Sequence, residues 1–126
     1  MKQKIFSNNA PKPIGPYSQA IKSGNTIFIS GQIAIDPQTN ELVINNITEE
    51  TKMVMENIKH ILIECNCTFS DVVKCSVFLS KMDLFESVNT VYGNYFSEPY
   101  PARETIEVSC LPKNVNVEIS AIAMCK

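Results

Sequence analysis

The sequence predicts an α+β domain: a mixed β-sheet with two long helices on one of its faces. Three observations carry this. Strand-like runs fall before, between and after two stretches with helical apolar spacing, in the order β-β-β-α-β-α-β-β. The length, 126 residues, suits a single domain over 1–126 with a real core and is too short for two. The final run is apolar on both faces, with Val117, Ile119, Ala121 and Ala123 on one and Ile122 and Met124 on the other.

Ile5-Phe6 opens a short strand. The segment Asn8-Asn9-Ala10-Pro11-Lys12-Pro13-Ile14-Gly15-Pro16 follows, and its prolines and glycine predict a rigid loop that delivers Tyr17 to a fixed place. Residues 18–23 and 26–30 read as a hairpin about Gly24-Asn25, and Gly31 at the strand's end marks a bulge or a close backbone approach. Asp36-Pro37-Gln38-Thr39-Asn40 is a second turn. Thr48 reads as the N-cap of a helix over 48–66, with Glu49 and Glu50 in the first turn and Val54, Ile58, Ile61, Leu62 and Cys65 as its apolar stripe. Val73, Cys75, Val77 and Leu79 form the inner side of a strand over 72–79. Asp83 is expected to cap a second helix running to Phe96, and strands over 102–110 and 115–124 close the chain about Leu111-Pro112-Lys113-Asn114.

Two helices cover only one face of such a sheet, yet the last strand is apolar on both. The second face needs another cover, and self-association supplies the simplest one. The chain carries no internal repeat, low-complexity segment or heptad run.

Composition narrows the function. A net charge of −2 with scattered lysines, and no arginine–aromatic interleaving, argues against a dedicated nucleic-acid binder. No run approaches the ~18 apolar residues of a membrane span, and the first residues lack the pattern of a signal peptide. Five cysteines, mostly within apolar stretches, fit a reducing cytoplasm better than a disulfide scaffold.

Arg103 is the only arginine among 11 basic side chains, and it sits in a β-forming run just after Pro101-Ala102. Its fork of N–H donors suits a planar two-oxygen partner that lysine cannot grip as well. That partner is either a carboxylate of the chain, with Glu118 the ready candidate, or a carboxylate-bearing small molecule. The short connection makes the strands of Arg103 and Glu118 expected antiparallel neighbours, with a one-residue register deciding whether the two share a face. Alternation sends Arg103, Thr105 and Glu107 to one face and Glu104, Ile106 and Val108 to the other.

Other candidates carry less. His60, the only histidine, reads as a boundary residue and leaves most zinc geometries unmet. Cys65-Asn66-Cys67 lacks a complementary second pair, no nucleotide or nucleophile-elbow motif occurs, and Ser30 has no base at a motif distance.

The motifs Ile14-Gly15-Pro16-Tyr17-Ser18-Gln19-Ala20, Ile29-Ser30-Gly31-Gln32, Val88-Asn89 with Tyr92, Pro101-Ala102-Arg103, Leu111-Pro112-Lys113 and Val117-Glu118-Ile119 with Ala121-Ile122-Ala123 stand in one order along nearly the whole chain. In these the sequence resembles the Rid family, also called the YjgF or reactive intermediate deaminase family, and within it the RidA type. The resemblance implies a chorismate-mutase-like α+β fold and a homotrimer with a central barrel and clefts between subunits. It implies hydrolysis of enamines and imines (2-aminoacrylate, 2-iminopropanoate, 2-iminobutanoate) to 2-keto acids and ammonia, as a clean-up step after pyridoxal-phosphate dehydratases. Carried over by position, Arg103 would clamp the substrate carboxylate and Glu118 would hold or activate the water. Tyr17 would line the cleft, Ser30 and Gly31 its floor, and Asn89 and the Thr105 backbone would complete it. No cofactor or metal is implied, since an iminium carbon is already electrophilic and needs only orientation, a placed water and a proton path. The charge-assisted grip of Arg103 contributes about 1.5–3 kcal/mol, enough to orient a small acid.

Two departures bear on the site. Glu104-Thr105 replaces the small residues of many deaminase-active relatives, with Glu104 expected to point away from Arg103. The short Ser97-Glu98-Pro99-Tyr100 segment is expected to reshape the cleft rim. The alternative from another class is a non-catalytic ligand-binding or RNA-associated trimer.

Overall fold

β-branched and alternating runs form a single sheet in the computed structural model, which describes all of residues 1–126. The strands are β1 (Lys2–Ile5), β2 (Ala20–Ser23), β3 (Thr26–Gln32), β4 (Val72–Leu79), β5 (Ala102–Glu107) and β6 (Val117–Met124); the helices are α1 (Ile47–Glu64) and α2 (Phe85–Gly93). Along the sheet the order is β1-β2-β3-β6-β4-β5. β4 and β5 are parallel, joined across the α2 crossover, and the other neighbours are antiparallel. The fold is the expected α+β class, with the expected element order.

The topology corrects the expected pairing of β5 with β6. β4 lies between them, paired to β5 through Cys75–Arg103 and to β6 through Cys75–Ala121. The connection wraps the end of β4, where Val108 N–H donates to the Leu79 carbonyl at 2.9 Å and Ser80 N–H to the Asn116 carbonyl at 3.0 Å. The doubly apolar β6 thereby takes a central place, and the charged β5 takes an edge.

Local boundaries differ for identifiable reasons. Asn46, not Thr48, caps α1: its Oδ1 accepts the Glu49 N–H at 2.9 Å, leaving Thr48 inside the first turn. The helix ends at Glu64 because Asn66 adopts a left-handed conformation (φ 58°) and Cys67 N–H turns back to the Leu62 carbonyl. Asp83 caps nothing; it lies in a 3₁₀ turn over Met82–Leu84, and α2 stops at Gly93 as residues 94–96 tighten into i→i+3 bonds. A bulge between Val72 and Lys74 turns Val72 inward and leaves Val73 exposed, reversing the expectation for that residue.

The core lies between the helices and one sheet face. Val54, Met55, Ile58, Ile61 and Leu62 of α1 and Val88 and Tyr92 of α2 pack on Ile27, Ile29, Val77, Ile119 and their neighbours. The opposite face is uncovered, with Phe28, Ile106 and Met124 each 44–48% exposed. Three buried polar side chains brace the loops. Glu50 accepts from Asn116 N (2.7 Å), Asn116 Nδ2 (2.8 Å) and Val117 N (3.3 Å) at the start of β6. Asn57 Nδ2 donates to the carbonyls of Ile33 and Ile35 at 3.2 and 3.0 Å. Gln19 closes the loop before Tyr17, accepting from Ser7 N at 2.7 Å and donating to Pro11 O at 2.9 Å. No helix is long and apolar enough to cross a membrane.

Candidate functional site

Arg103 shares the helix-facing side of the sheet with Cys75, its register partner. Its guanidinium donates from Nη1 to Asn89 Oδ1 at 2.7 Å, and its central carbon lies 4.7 Å from the Tyr92 ring centroid and 5.6 Å from that of Phe85. The ion pairs of the chain are Glu56–Lys59 and Lys74–Glu104, so the internal carboxylate partner held open for Arg103 is ruled out. Asn89 occupies one of five N–H donors, and the rest of the fork faces a cavity of about 470 Å³ walled by Asn89, Tyr92, Gly93, Tyr100 and Pro101. Tyr92, which the sequence marks only as part of the Val88-Asn89 motif, is therefore also the platform for the cation. Its hydroxyl is buried without a hydrogen-bond partner, and that burial raises its pKa.

Glu104 projects to the other face, as expected, where it meets Lys74 at 3.1 Å and the Ser76 hydroxyl. The Ser76 hydrogen bond, followed by Lys74, lowers its pKa. Thr105 lies two positions along β5 on the Arg103 side, opposite Val77, and is not part of the cavity wall.

Glu118 begins a second cleft. It is opposite Phe78, whose β5 partner is Ile106, so it points to the face away from Arg103. A bulge in β3 between Ile29 and Gln32 brings Gly31 beneath it. Any β-carbon on Gly31 would collide with the Glu118 carboxylate, so glycine is required for that side chain's position. Desolvation raises the Glu118 pKa above the ordinary carboxylate value. Pro11, Tyr17, Gly31, Gln32 and Pro112 line the cleft with it. Tyr17 is half exposed there; its backbone N–H bonds Gly15 O at 2.9 Å and its hydroxyl accepts from Ile14 N at 3.4 Å. The Ser30 hydroxyl does not face the cleft, because it donates to the Ser18 carbonyl at 2.6 Å and ties the Tyr17 loop to β3.

The structure thus brings the candidate residues together as two groups: Arg103 with Asn89, and Glu118 with Tyr17 and Gly31. Within one chain they occupy opposite faces of the sheet with β4 between them. Gln19 and Tyr100 were not anticipated individually. No periodicity marks Gln19 as the residue that closes the loop, and Tyr100 was seen only as part of a short rim segment.

Comparison with known proteins places this geometry. The family model described as Endoribonuclease L-PSP matches residues 7–125. A RutC family protein of Pyrococcus horikoshii is 55% identical over 123 residues, 98% of either chain. The 2-iminobutanoate/2-iminopropanoate deaminase of Mus musculus is 42% identical over 98% of this chain and 92% of its own. Among solved structures, RidA of an Antarctic Psychrobacter superposes with a TM-score of 0.93 at 43% identity, covering 97% of this chain and 98% of that one. E. coli TdcF with bound serine gives 0.93 at 35% identity, covering 98% and 99%.

Proposed function

The chain belongs to the Rid family, whose model carries the name Endoribonuclease L-PSP, and from that premise we propose that it hydrolyses small 2-imino acids and their enamine tautomers to 2-keto acids and ammonia. The observation that carries the reading is the Arg103 guanidinium. It is fixed by Asn89 and the Tyr92 ring, unpaired with any carboxylate of the chain, and open to a cavity. A bidentate grip on a substrate carboxylate completes its donor set. Support comes from relatives named as imine deaminases and from a relative solved with serine, an amino acid bearing the same carboxylate.

Glu118 is the base. A carboxylate with a raised pKa accepts a proton more readily, so it takes one from water as the oxygen attacks the imine carbon. The resulting carbinolamine keeps its carboxylate on Arg103. Protonation of its nitrogen and loss of its hydroxyl proton let the tetrahedral carbon collapse, which expels ammonia and leaves the keto acid. Tyr17 and Pro112 line the same cleft as Glu118.

Because Arg103 and Glu118 occupy opposite faces of one sheet, the reaction requires more than one copy of the chain. We place it at seams of a homotrimer in which the uncovered faces bearing Phe28, Ile106 and Met124 are buried against each other. The free thiols fit a cytoplasmic setting.

The decisive assay couples the protein to a threonine or serine dehydratase and follows keto-acid release while semicarbazide competes for the imine. Wild type should accelerate release and suppress semicarbazone, whereas Arg103→Ala should not. Equal traces for both proteins would reject the reading. Salt-sensitive RNA cleavage that survives Arg103→Ala would replace it with a nucleic-acid role.

A further inference from the structure

We propose that Cys67 and Cys125 are a modification site outside both clefts, a dithiol that closes to an intramolecular disulfide when challenged by a small-molecule disulfide.

Two chain ends bring the pair together. Left-handed Asn66 (φ 58°) folds the segment after α1 back, and Cys67 N–H bonds the Leu62 carbonyl at 2.9 Å. Cys125 follows β6, and its N–H bonds the Asn25 carbonyl at 2.6 Å, fixing where the tail leaves the sheet. Both thiols reach one acceptor, the Cys65 carbonyl, with Cys67 Sγ at 3.5 Å and Cys125 Sγ at 3.8 Å, and Cys125 Sγ also reaches the Lys126 carbonyl at 3.6 Å. Cys125 is also near enough to help raise the Cys67 pKa. The Cys65 thiol is directed elsewhere, to the Ile61 carbonyl at 3.6 Å.

Exposure assigns the roles. Cys125 is partly exposed and meets the oxidant; Cys67 is 4% exposed and resolves the adduct. The Cys125 thiolate attacks one sulfur of the external disulfide, forming a mixed disulfide and releasing one thiolate. Cys67 then gives its proton to solvent and attacks Cys125 Sγ, releasing the second thiolate. Two protein thiols are oxidised and one external disulfide is reduced to two thiols. Burial first, then Cys125, Asp71 and Cys65, pushes the Cys67 thiol up to about 11, so closure sets the pace. The product ties the turn after α1 to the strand that carries Glu118. Exposed Cys110, on the connection between β5 and β6, serves as an internal control.

The test treats the folded full-length chain with oxidised glutathione and maps its peptides without reduction. The expected result is a Cys67–Cys125 linked pair, with glutathione retained only on Cys110. Cys67→Ser should convert the link into a stable glutathione adduct on Cys125, and Cys125→Ser should leave Cys67 unmodified. Thermal unfolding of the oxidised wild type should shift up by several degrees and return on adding reductant, with no such cycle in Cys67→Ser. Glutathione persisting on Cys125 of the wild type, or a Cys65–Cys125 link, would overturn the assignment. Because Cys110 reports independently that oxidant reached the protein, a bare Cys125 beside a modified Cys110 would also overturn it.

Discussion

Gly31 and Glu118 form one unit: the carboxylate occupies the space that any side chain at position 31 would need. The obstructing atoms belong mainly to the far end of a flexible side chain, so Gly31→Ala should move Glu118 more than it strains the backbone. The variant should unfold within about 1 kcal/mol of wild type. Its kcat should fall about a hundredfold, the scale of a lost general base. Paired thermal unfolding and keto-acid kinetics measure both. A fall in stability equal to the fall in activity would show that the glycine serves the fold alone.

Glu118 also gives the pH dependence a sign. Desolvation raises its folded-state pKa above the ordinary value of 4.5, and only the ionised form accepts a proton from water. kcat/KM should therefore rise with pH through a value above 4.5, and Glu118→Gln should lose that limb. The same shift acts on stability in the opposite sense. Between the unfolded and the raised folded pKa the native state holds the extra proton, so stability falls as pH rises through that window and stays lower above it. Glu118→Gln should flatten this segment of the stability–pH curve, as chemical denaturation at stepped pH would report.

Most of the fold was legible because its signals are local. The 3.6-residue stripe of α1 and the alternation in β6 each state which side is buried, and that sufficed for element order and fold class. Pairing was less legible. Strands expected over 102–110 and 115–124 left four residues between them and suggested a hairpin, but β5 ends at Glu107, β6 begins at Val117 and the chain between them wraps the end of β4, a choice made by non-local packing. The site divided in the same way. Arg103 stood out as a lone arginine, and strand alternation sent Glu104 away from it. The opposition of Arg103 and Glu118 across the sheet followed from the inserted strand, which no motif announces.

Arg103→Lys keeps the charge and removes the fork. Lysine cannot hold Asn89 Oδ1 and both carboxylate oxygens together, nor stack a planar group on Tyr92. KM should rise tenfold or more, in line with loss of about 1.5–3 kcal/mol of charge-assisted binding. The thermal midpoint should hardly move, since the side chain borders an open cavity. Initial rates across substrate concentrations would show whether the loss falls on KM. A KM unchanged from wild type would remove the carboxylate clamp from the mechanism.

Stability should respond most sharply at Glu50. The fully buried carboxylate takes three N–H donors at the entrance to β6, and truncation strands all three. Glu50→Ala should cost about 2–4 kcal/mol in urea unfolding. Glu50→Gln keeps one acceptor oxygen for the Asn116 and Val117 backbone amides and turns its NH₂ toward Asn116 Nδ2, so its cost should be smaller but measurable. Equal stability of the Ala variant and wild type would mean that water replaces the carboxylate at no cost.

The separation of the two clefts makes complementation the sharpest test of assembly. Arg103→Ala and Glu118→Gln should each keep about a hundredth or less of wild-type turnover alone. If a working site takes Arg103 from one chain and Glu118 from its neighbour, a mixed oligomer contains some seams where both intact residues meet. Random assortment of equal amounts of the two variants regenerates about one seam in four. Mixing after mild denaturation and refolding should therefore recover about a quarter of wild-type activity, while mixing the folded proteins should recover activity only as fast as subunits exchange. A charge in the uncovered face, Ile106→Glu, should abolish both assembly and recovery, because it buries an unpaired carboxylate at the contact. If both residues instead served one site within a single chain, no ratio of the two variants would restore turnover, and sizing would show Ile106→Glu active as a monomer.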